Sequence, residues 1–200
     1  MQDKAFFRAK ALAARSALSA DTRAAFSAKI AQLVMTLAAD FPQGPVSLFW
    51  PIRSEIDTRP LMTLLREAGF ALALPRVDGS SLEFRLWDGT APLVSGAFGL
   101  FEPALDAPLC RPATMLIPLA AFDRAGHRIG YGKGFYDRAI AALNPKCKIG
   151  LAFSVQEIAA VPFEGHDERL DRIITENGVI VPSPSAHPAP LSSPHAHPSS

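Results

Sequence analysis

The chain has 200 residues, with 20 Lys and Arg against 19 Asp and Glu for a formal charge of +1, and 48% of its residues are apolar. That length suits one α/β domain or two small ones; the balanced charge excludes a broadly basic nucleic-acid binder, and the composition excludes a collagen, a coiled coil and a wholly disordered chain. Two cysteines, Cys110 and Cys147, in neither a Cys-x-x-Cys pattern nor a zinc spacing, point to a reduced, cytoplasmic setting.

The first residues, Met1 to Lys10, carry charges where a signal peptide needs its apolar core. Residues 2 to 17, rich in Ala, Leu, Lys and Arg, predict a helix, and Ser19 is a candidate N-cap for a second one running to about Ala39. At ~100° per residue Lys4, Arg8 and Arg15 fall on one basic stripe, which is either a solvated face or an anion site. Val46 to Trp50 reads as a short strand, Arg59 to Ala68 as a helix stopped by Gly69, and Ala71 to Val77 and Leu82 to Trp87 as further strands. Thr114 to Ile117 is another buried-type strand, followed by a glycine-rich loop, a helix from about Phe135 to Leu143 and a strand from Lys148 to Phe153. Helices interleaved with short apolar strands predict a mostly parallel sheet covered on both faces, in one domain over residues 1 to 181. The uncharged apolar runs are too short for a membrane span of ~18 to 20 residues. From Pro182 to Ser200 there is no charged side chain, six residues are Pro and six are Ser, which predicts a disordered tail over 182 to 200. Its histidines, His187, His195 and His197, could bind a metal only weakly, having no carboxylate or thiolate beside them.

The segment from Phe122 to Arg138 carries the strongest chemical signal. Gly130, Gly132 and Gly134 alternate just before a helix, with Arg128 and Lys133 among them. Glycine reaches the backbone angles that turn successive N–H groups toward one anion, and a helix N-terminus adds its dipole, so the segment reads as a phosphate cradle; the alternative is a flexible turn. Neither the G-x-x-x-x-G-K-[ST] pattern nor a G-x-G-x-x-G pattern is met. The chain's only tyrosines, Tyr131 and Tyr136, lie here, and Asp137 follows, either as a Mg²⁺ carboxylate or as a helix-start charge. Glu55 follows a predicted strand, where ligands of open α/β sheets collect, but is equally a candidate surface carboxylate. His166 and Asp167 are left structural.

The run from Arg128 to Asp137 resembles the signature of the 5-formyltetrahydrofolate cyclo-ligase family, also called methenyltetrahydrofolate synthetases. Four further segments agree in order and spacing: Lys4 to Arg8, Trp50 to Thr58, Phe98 to Pro103, and His166 to Asp171. The resemblance covers residues 4 to about 180, with Ile129 and Phe135 in place of a frequent Leu and Tyr, and Trp50 where an aliphatic residue or Tyr is common. It implies a three-layer α/β/α sandwich related to sugar-phosphate isomerases and coenzyme A transferases. It further implies an ATP site from Lys4, Arg8, Arg128, Ile129, Gly130, Tyr131, Gly132, Lys133, Gly134, Phe135 and Tyr136, with Arg128 and Lys133 acting on the transferring phosphoryl group. Asp137 and Asp171 would hold Mg²⁺, and Trp50, Glu55, Phe98 and Tyr131 would border the folate.

The implied reaction takes 5-formyltetrahydrofolate, with or without a polyglutamate tail, and ATP to 5,10-methenyltetrahydrofolate, ADP and phosphate. Nucleic acid and membrane are not expected partners, and a monomer is expected. Competing readings are another enzyme of the same architecture, with Glu55 as base or nucleophile, and a non-catalytic folate or nucleotide sensor. Lys133→Ala and Asp137→Ala are expected to fold normally and lose most turnover.

Overall fold

Asp3 starts the first helix, α1 (Lys4–Ala17), by accepting the Phe6 N–H at 2.9 Å, and Ser19 starts α2 (Ala20–Leu37) by accepting the Thr22 N–H at 3.1 Å. The computed structural model describes residues 3–163 and 168–183, with the side chain of Phe98 also outside the described set. Next come β1 (Val46–Ser47), α3 (Arg59–Glu67), β2 (Leu72–Asp78), β3 (Ser81–Trp87), β4 (Val94–Ser95), β5 (Phe101–Glu102), β6 (Leu109–Cys110) and β7 (Thr114–Pro118). After these lie β8 (Ala121–Phe122), β9 (Arg128–Ile129), α4 (Phe135–Leu143), β10 (Cys147–Leu151), β11 (Arg172–Thr175) and β12 (Gly178–Ile180). Helix α4 stops at Asn144, whose left-handed backbone lets its N–H reach the Ile140 carbonyl at 2.8 Å.

Eight strands form one sheet in the order β12-β11-β10-β7-β1-β2-β3-β6. Its centre, from β11 to β2, is parallel, and the flanking pairs β11/β12, β2/β3 and β3/β6 are antiparallel. In the mostly parallel sheet expected from the sequence, β2 and β3, read there as successive strands, pair antiparallel as a hairpin whose two-residue turn places Gly79 at φ +56°.

Alternation along the strands sorts the core onto two faces. Leu72, Leu74, Leu116, Ile149, Leu151 and Ile174 pack with Ile30 and Val34 of α2 and Leu61 and Leu65 of α3. Ala73, Met115, Ile117 and Ile173 face the other way, against Ala139 and Ile140 of α4. The result is the α/β/α sandwich expected from the sequence. Each fully buried Leu or Ile stabilises the fold by roughly 1.5–3 kcal/mol.

Helix α1 belongs to neither layer. Its Ala11 packs with Ala121, Ile129 and Val161, so it lies on the small β8/β9 hairpin that the sequence had suggested only as loop. Buried Asp123 builds that hairpin by accepting the N–H groups of Ala125 (2.9 Å), His127 (3.0 Å) and Val161 (2.9 Å). Among the described residues no helix is long and apolar enough to cross a membrane.

Candidate functional site

From β1 the chain crosses through α3 to β2 on one side, and from β7 it crosses through α4 to β10 on the other. The two crossovers diverge on opposite faces of the sheet, so β1 and β7 mark the switch point, where a crevice opens beyond the carboxyl ends of the strands. Two loops border it: residues 48–58 after β1 and residues 119–134 after β7.

In the first loop a tight turn folds Glu55 back on Ile52. The Glu55 N–H donates to the Ile52 carbonyl, and the Ile52 N–H donates to the Glu55 carboxylate, both at 3.0 Å. Glu55 is only 9% exposed, and its other oxygen accepts the Tyr131 hydroxyl from the second loop. Buried Arg15 of α1 completes the cluster, donating to the Tyr131 hydroxyl at 2.7 Å and to the Ser54 hydroxyl at 3.1 Å. Burial raises the Glu55 pKa, against the lowering effect of the hydrogen bonds from Tyr131 and Ile52 and the charges of Arg15 and Arg53. The Tyr131 phenol is pushed up, first by burial and then by the Glu55 carboxylate.

Trp50 stands on the same loop, edge to face with Trp87 at 6.0 Å and with Phe101 at 6.5 Å. A cavity of about 280 Å³ opens here, lined by Trp50, Pro51 and Glu55 together with Arg23, Arg53, Asp57 and Arg59.

In the second loop Gly132 (φ +93°) and Gly134 (φ +64°) both take left-handed backbone, whereas Gly130 does not. Gly134 is the N-cap of α4 and offers no capping side chain, so the first N–H groups of α4 face the loop without a side-chain acceptor at that cap. Arg8 ties α1 to this loop, its Nε donating to the Gly130 carbonyl at 2.8 Å. Arg138 braces the other side, donating to the carbonyls of Lys133 (2.8 Å) and Ser80 (2.6 Å). Lys133 itself is exposed between the two glycines.

Arg128 lies deeper than the sequence suggested. Its guanidinium is 4% exposed, pairs with Asp137 at 2.5 Å and also donates to the Glu168 carbonyl. Asp137, about a third exposed, occupies the first turn of α4, with one carboxylate oxygen on Arg128. Asp171 is engaged elsewhere, accepting the Lys148 N–H at 2.7 Å beside β10. Among the described residues no three His, Cys, Asp or Glu side chains converge as a metal cluster. A cation at Asp137 would therefore draw most of its oxygens from phosphate and water, which suits Mg²⁺.

The structure thus joins Glu55, Tyr131 and the glycine loop, with Arg8 fastened to it, at one crevice. Lys4, half-buried, opens α1, and Tyr136 follows Phe135 in the first turn of α4, its phenol pushed up by burial. The Ile129 side chain is buried against Ala11 and Val161, leaving only its main chain for a ligand. Sequence reasoning missed Ser54 and the cavity arginines Arg23, Arg53 and Arg59, and it read Arg15 only as part of a basic stripe, either a solvated face or an anion site, where the structure buries Arg15 at 5% exposure. A basic residue among the small and apolar neighbours Ala11, Ala14, Ala17 and Leu18 was the available signal for Arg15. Neither thiol is a ready nucleophile: Cys147 is buried, and burial pushes Cys110 up to about 11. The Phe98 side chain, His166, Asp167 and the tail from residue 184, with His187, His195 and His197, lie outside the described residues.

Residues 1–176 match the model of the 5-formyltetrahydrofolate cyclo-ligase family. The chain is 30% identical over 174 residues to the 5-formyltetrahydrofolate cyclo-ligase of Escherichia coli K12, covering 82% of this chain and 96% of the relative. It is 32% identical over 146 residues to the enzyme of the same name from Mycolicibacterium smegmatis, covering 68% of this chain and 75% of the relative. Among solved structures, the Aquifex aeolicus 5,10-methenyltetrahydrofolate synthetase superposes with a TM-score of 0.80 at 30% identity, over 97% of this chain and 98% of the other. A Mycoplasma pneumoniae 5,10-methenyltetrahydrofolate synthetase gives a TM-score of 0.69 at 25% identity, over 88% of this chain and 99% of the other.

Proposed function

The chain belongs to the 5-formyltetrahydrofolate cyclo-ligase family, and from that premise we propose how its crevice converts 5-formyltetrahydrofolate and ATP into 5,10-methenyltetrahydrofolate, ADP and phosphate. The observation that carries the reading is the Tyr131–Glu55 hydrogen bond, which joins the glycine loop to the carboxylate after β1 and so sets two ligand halves side by side.

The formyl group of the substrate is an amide and a poor electrophile. Transfer of the γ-phosphoryl group to the formyl oxygen breaks the bond to ADP and makes that oxygen a leaving group. N10 then attacks the formyl carbon and gives up its proton, and departure of phosphate leaves the amidinium bridge.

The buried Glu55 carboxylate accepts folate N–H groups, and Tyr131 fixes its direction. Trp50 supplies an aromatic wall. Lys133 and the main-chain N–H groups around Gly132 and Gly134 offset charge on the transferring phosphoryl group, while Arg8 holds the loop in shape. Arg128 acts from behind, positioning Asp137. Asp137, in the first turn of α4, is the carboxylate that would hold Mg²⁺, which would supply further charge compensation to the phosphates when bound. Asp171 would join only with the oxygen not committed to Lys148.

The test mixes purified protein, Mg-ATP and 5-formyltetrahydrofolate and follows the near-ultraviolet band of the methenyl product. ATP-dependent growth of that band is expected. Folate binding without it would overturn the catalytic reading and leave a sensor.

A further inference from the structure

Arg15 is a buried charge that the chemistry above does not use. It lies inside the molecule on α1, and among the described residues it makes no direct ion pair. Burying a cation without a counter-ion is strongly unfavourable. The packing of α1 on the β8/β9 hairpin does not require one either, since Ala11 and Phe7 carry it.

Both hydrogen bonds of the Arg15 guanidinium lead to Glu55. One nitrogen donates to the Tyr131 hydroxyl at 2.7 Å, and Nε donates at 3.1 Å to the hydroxyl of Ser54, the residue before Glu55. Arginine can only donate, so the Tyr131 oxygen is held as an acceptor. A phenol has one proton, which then points at the Glu55 carboxylate. Without Arg15 the hydroxyl could rotate and serve another acceptor. Ser16, the next residue of α1, shares the Ser54 hydroxyl at 3.1 Å, so the turn that carries Glu55 is tied to α1 twice. Two helical turns earlier Arg8 holds the Gly130 carbonyl, and one helix therefore sets both loops of the crevice.

We propose that Arg15 is a positioning residue for the folate half of the site: it locks the Tyr131 proton onto Glu55 and so keeps the carboxylate turned toward its ligand before that ligand arrives. This rests on the assignment of Glu55 to the ring N–H groups. The charge of Arg15 acts in the same sense. With Arg53 it lowers the Glu55 pKa against the larger effect of burial. Tyr131 faces the carboxylate from the glycine loop, Tyr136 of α4 lies within reach of its charge, and Arg23, Asp57 and Arg59 line the cavity beside it. Loss of the Arg15 guanidinium should therefore leave Glu55 protonated to a higher pH.

The experiment titrates the fluorescence of Trp50 and Trp87 with 5-formyltetrahydrofolate, without ATP, in the full chain and in Arg15→Gln, Tyr131→Phe, their double variant and Glu55→Ala. At a pH where Glu55 is ionised throughout, Arg15→Gln is expected to raise the folate Kd about tenfold, the scale of one hydrogen bond to a charged group. In the Tyr131→Phe background the same substitution should change Kd less than about twofold, because Arg15 acts through the hydroxyl. The rise of affinity with pH should also be displaced upward in Arg15→Gln, whereas a residue that only supports the fold would leave its position unchanged. Arg15→Lys keeps the charge and loses the fork, so it should restore the position of the profile and only part of the affinity; it also serves in the cycle if Arg15→Gln does not fold. Additive effects in the cycle, or a profile that does not move in Arg15→Gln, would overturn the proposal. Weak binding in Glu55→Ala with wild-type binding in Arg15→Gln overturns the role of Arg15 alone. Wild-type binding in Glu55→Ala overturns the assignment of Glu55, and the role of Arg15 with it.

Discussion

Glu55 is fixed by the protein alone, through the Tyr131 hydroxyl, the Ile52 N–H and the nearby charges of Arg15 and Arg53, whereas Lys133 stands exposed on a turn shaped by two left-handed glycines. The first arrangement fixes a direction before a ligand binds, at the cost of burying a carboxylate. The second leaves main-chain N–H groups and one ammonium able to close on a polyanion, with α1 and Arg138 restraining the loop from either side. Substitutions on the exposed side should therefore cut turnover with little change in stability, and substitutions on the buried side should move both.

The largest expected effect is on the exposed side. Lys133→Ala should lower kcat about 10²- to 10³-fold, the usual consequence of losing one group that stabilises transition-state charge, with an unchanged melting temperature. A comparable loss of thermal stability would show that Lys133 supports the fold.

Asp137 tests the boundary between the two regions. Its carboxylate is the partner of a guanidinium that is only 4% exposed, so Asp137→Ala should lose turnover and also about 1–3 kcal/mol of stability in urea denaturation. That departs from the expectation of normal folding drawn from sequence, where the Arg128 contact was invisible. Full stability in the alanine variant would mean that the pair contributes nothing.

What was legible in the sequence follows from how local the signal is. Helix α4 was bounded at Phe135 and Leu143 because Gly134 and Asn144 punctuate it, and α2 because Ser19 caps it. The glycine loop was legible for the same reason. Strands of two residues, such as β8 and β9, leave no period to read, and the antiparallel pairing of β2 with β3 depends on a turn whose glycine also fits a crossover loop. The missed part of the site is the part made by distant pairing. Arg15 reaches Tyr131 across 116 positions and Ser54 across 39, and no spacing rule in one sequence encodes such a contact.

The smallest effect, and the one that isolates the cost of the buried side, is the pH dependence of stability at Glu55. Burial raises its folded-state pKa above the ordinary value of 4.5. The folded protein then binds this proton more tightly than the unfolded chain does, so the contribution to stability is fully present below the ordinary value and is lost as pH rises through the raised one. Gln carries no such proton. The difference in melting temperature between wild type and Glu55→Gln should therefore shift in favour of the variant as pH rises from the ordinary value through the raised one, and then level off. Any constant offset from altered hydrogen bonding to Ile52 drops out, because only the slope reports the ionisation. In the wild type the KM for folate should improve over the same window, since the ionised carboxylate is the better acceptor for ring N–H groups. A flat stability difference would show that Glu55 is not held in a desolvated site, and an improvement in KM without it would place the controlling ionisation on another group.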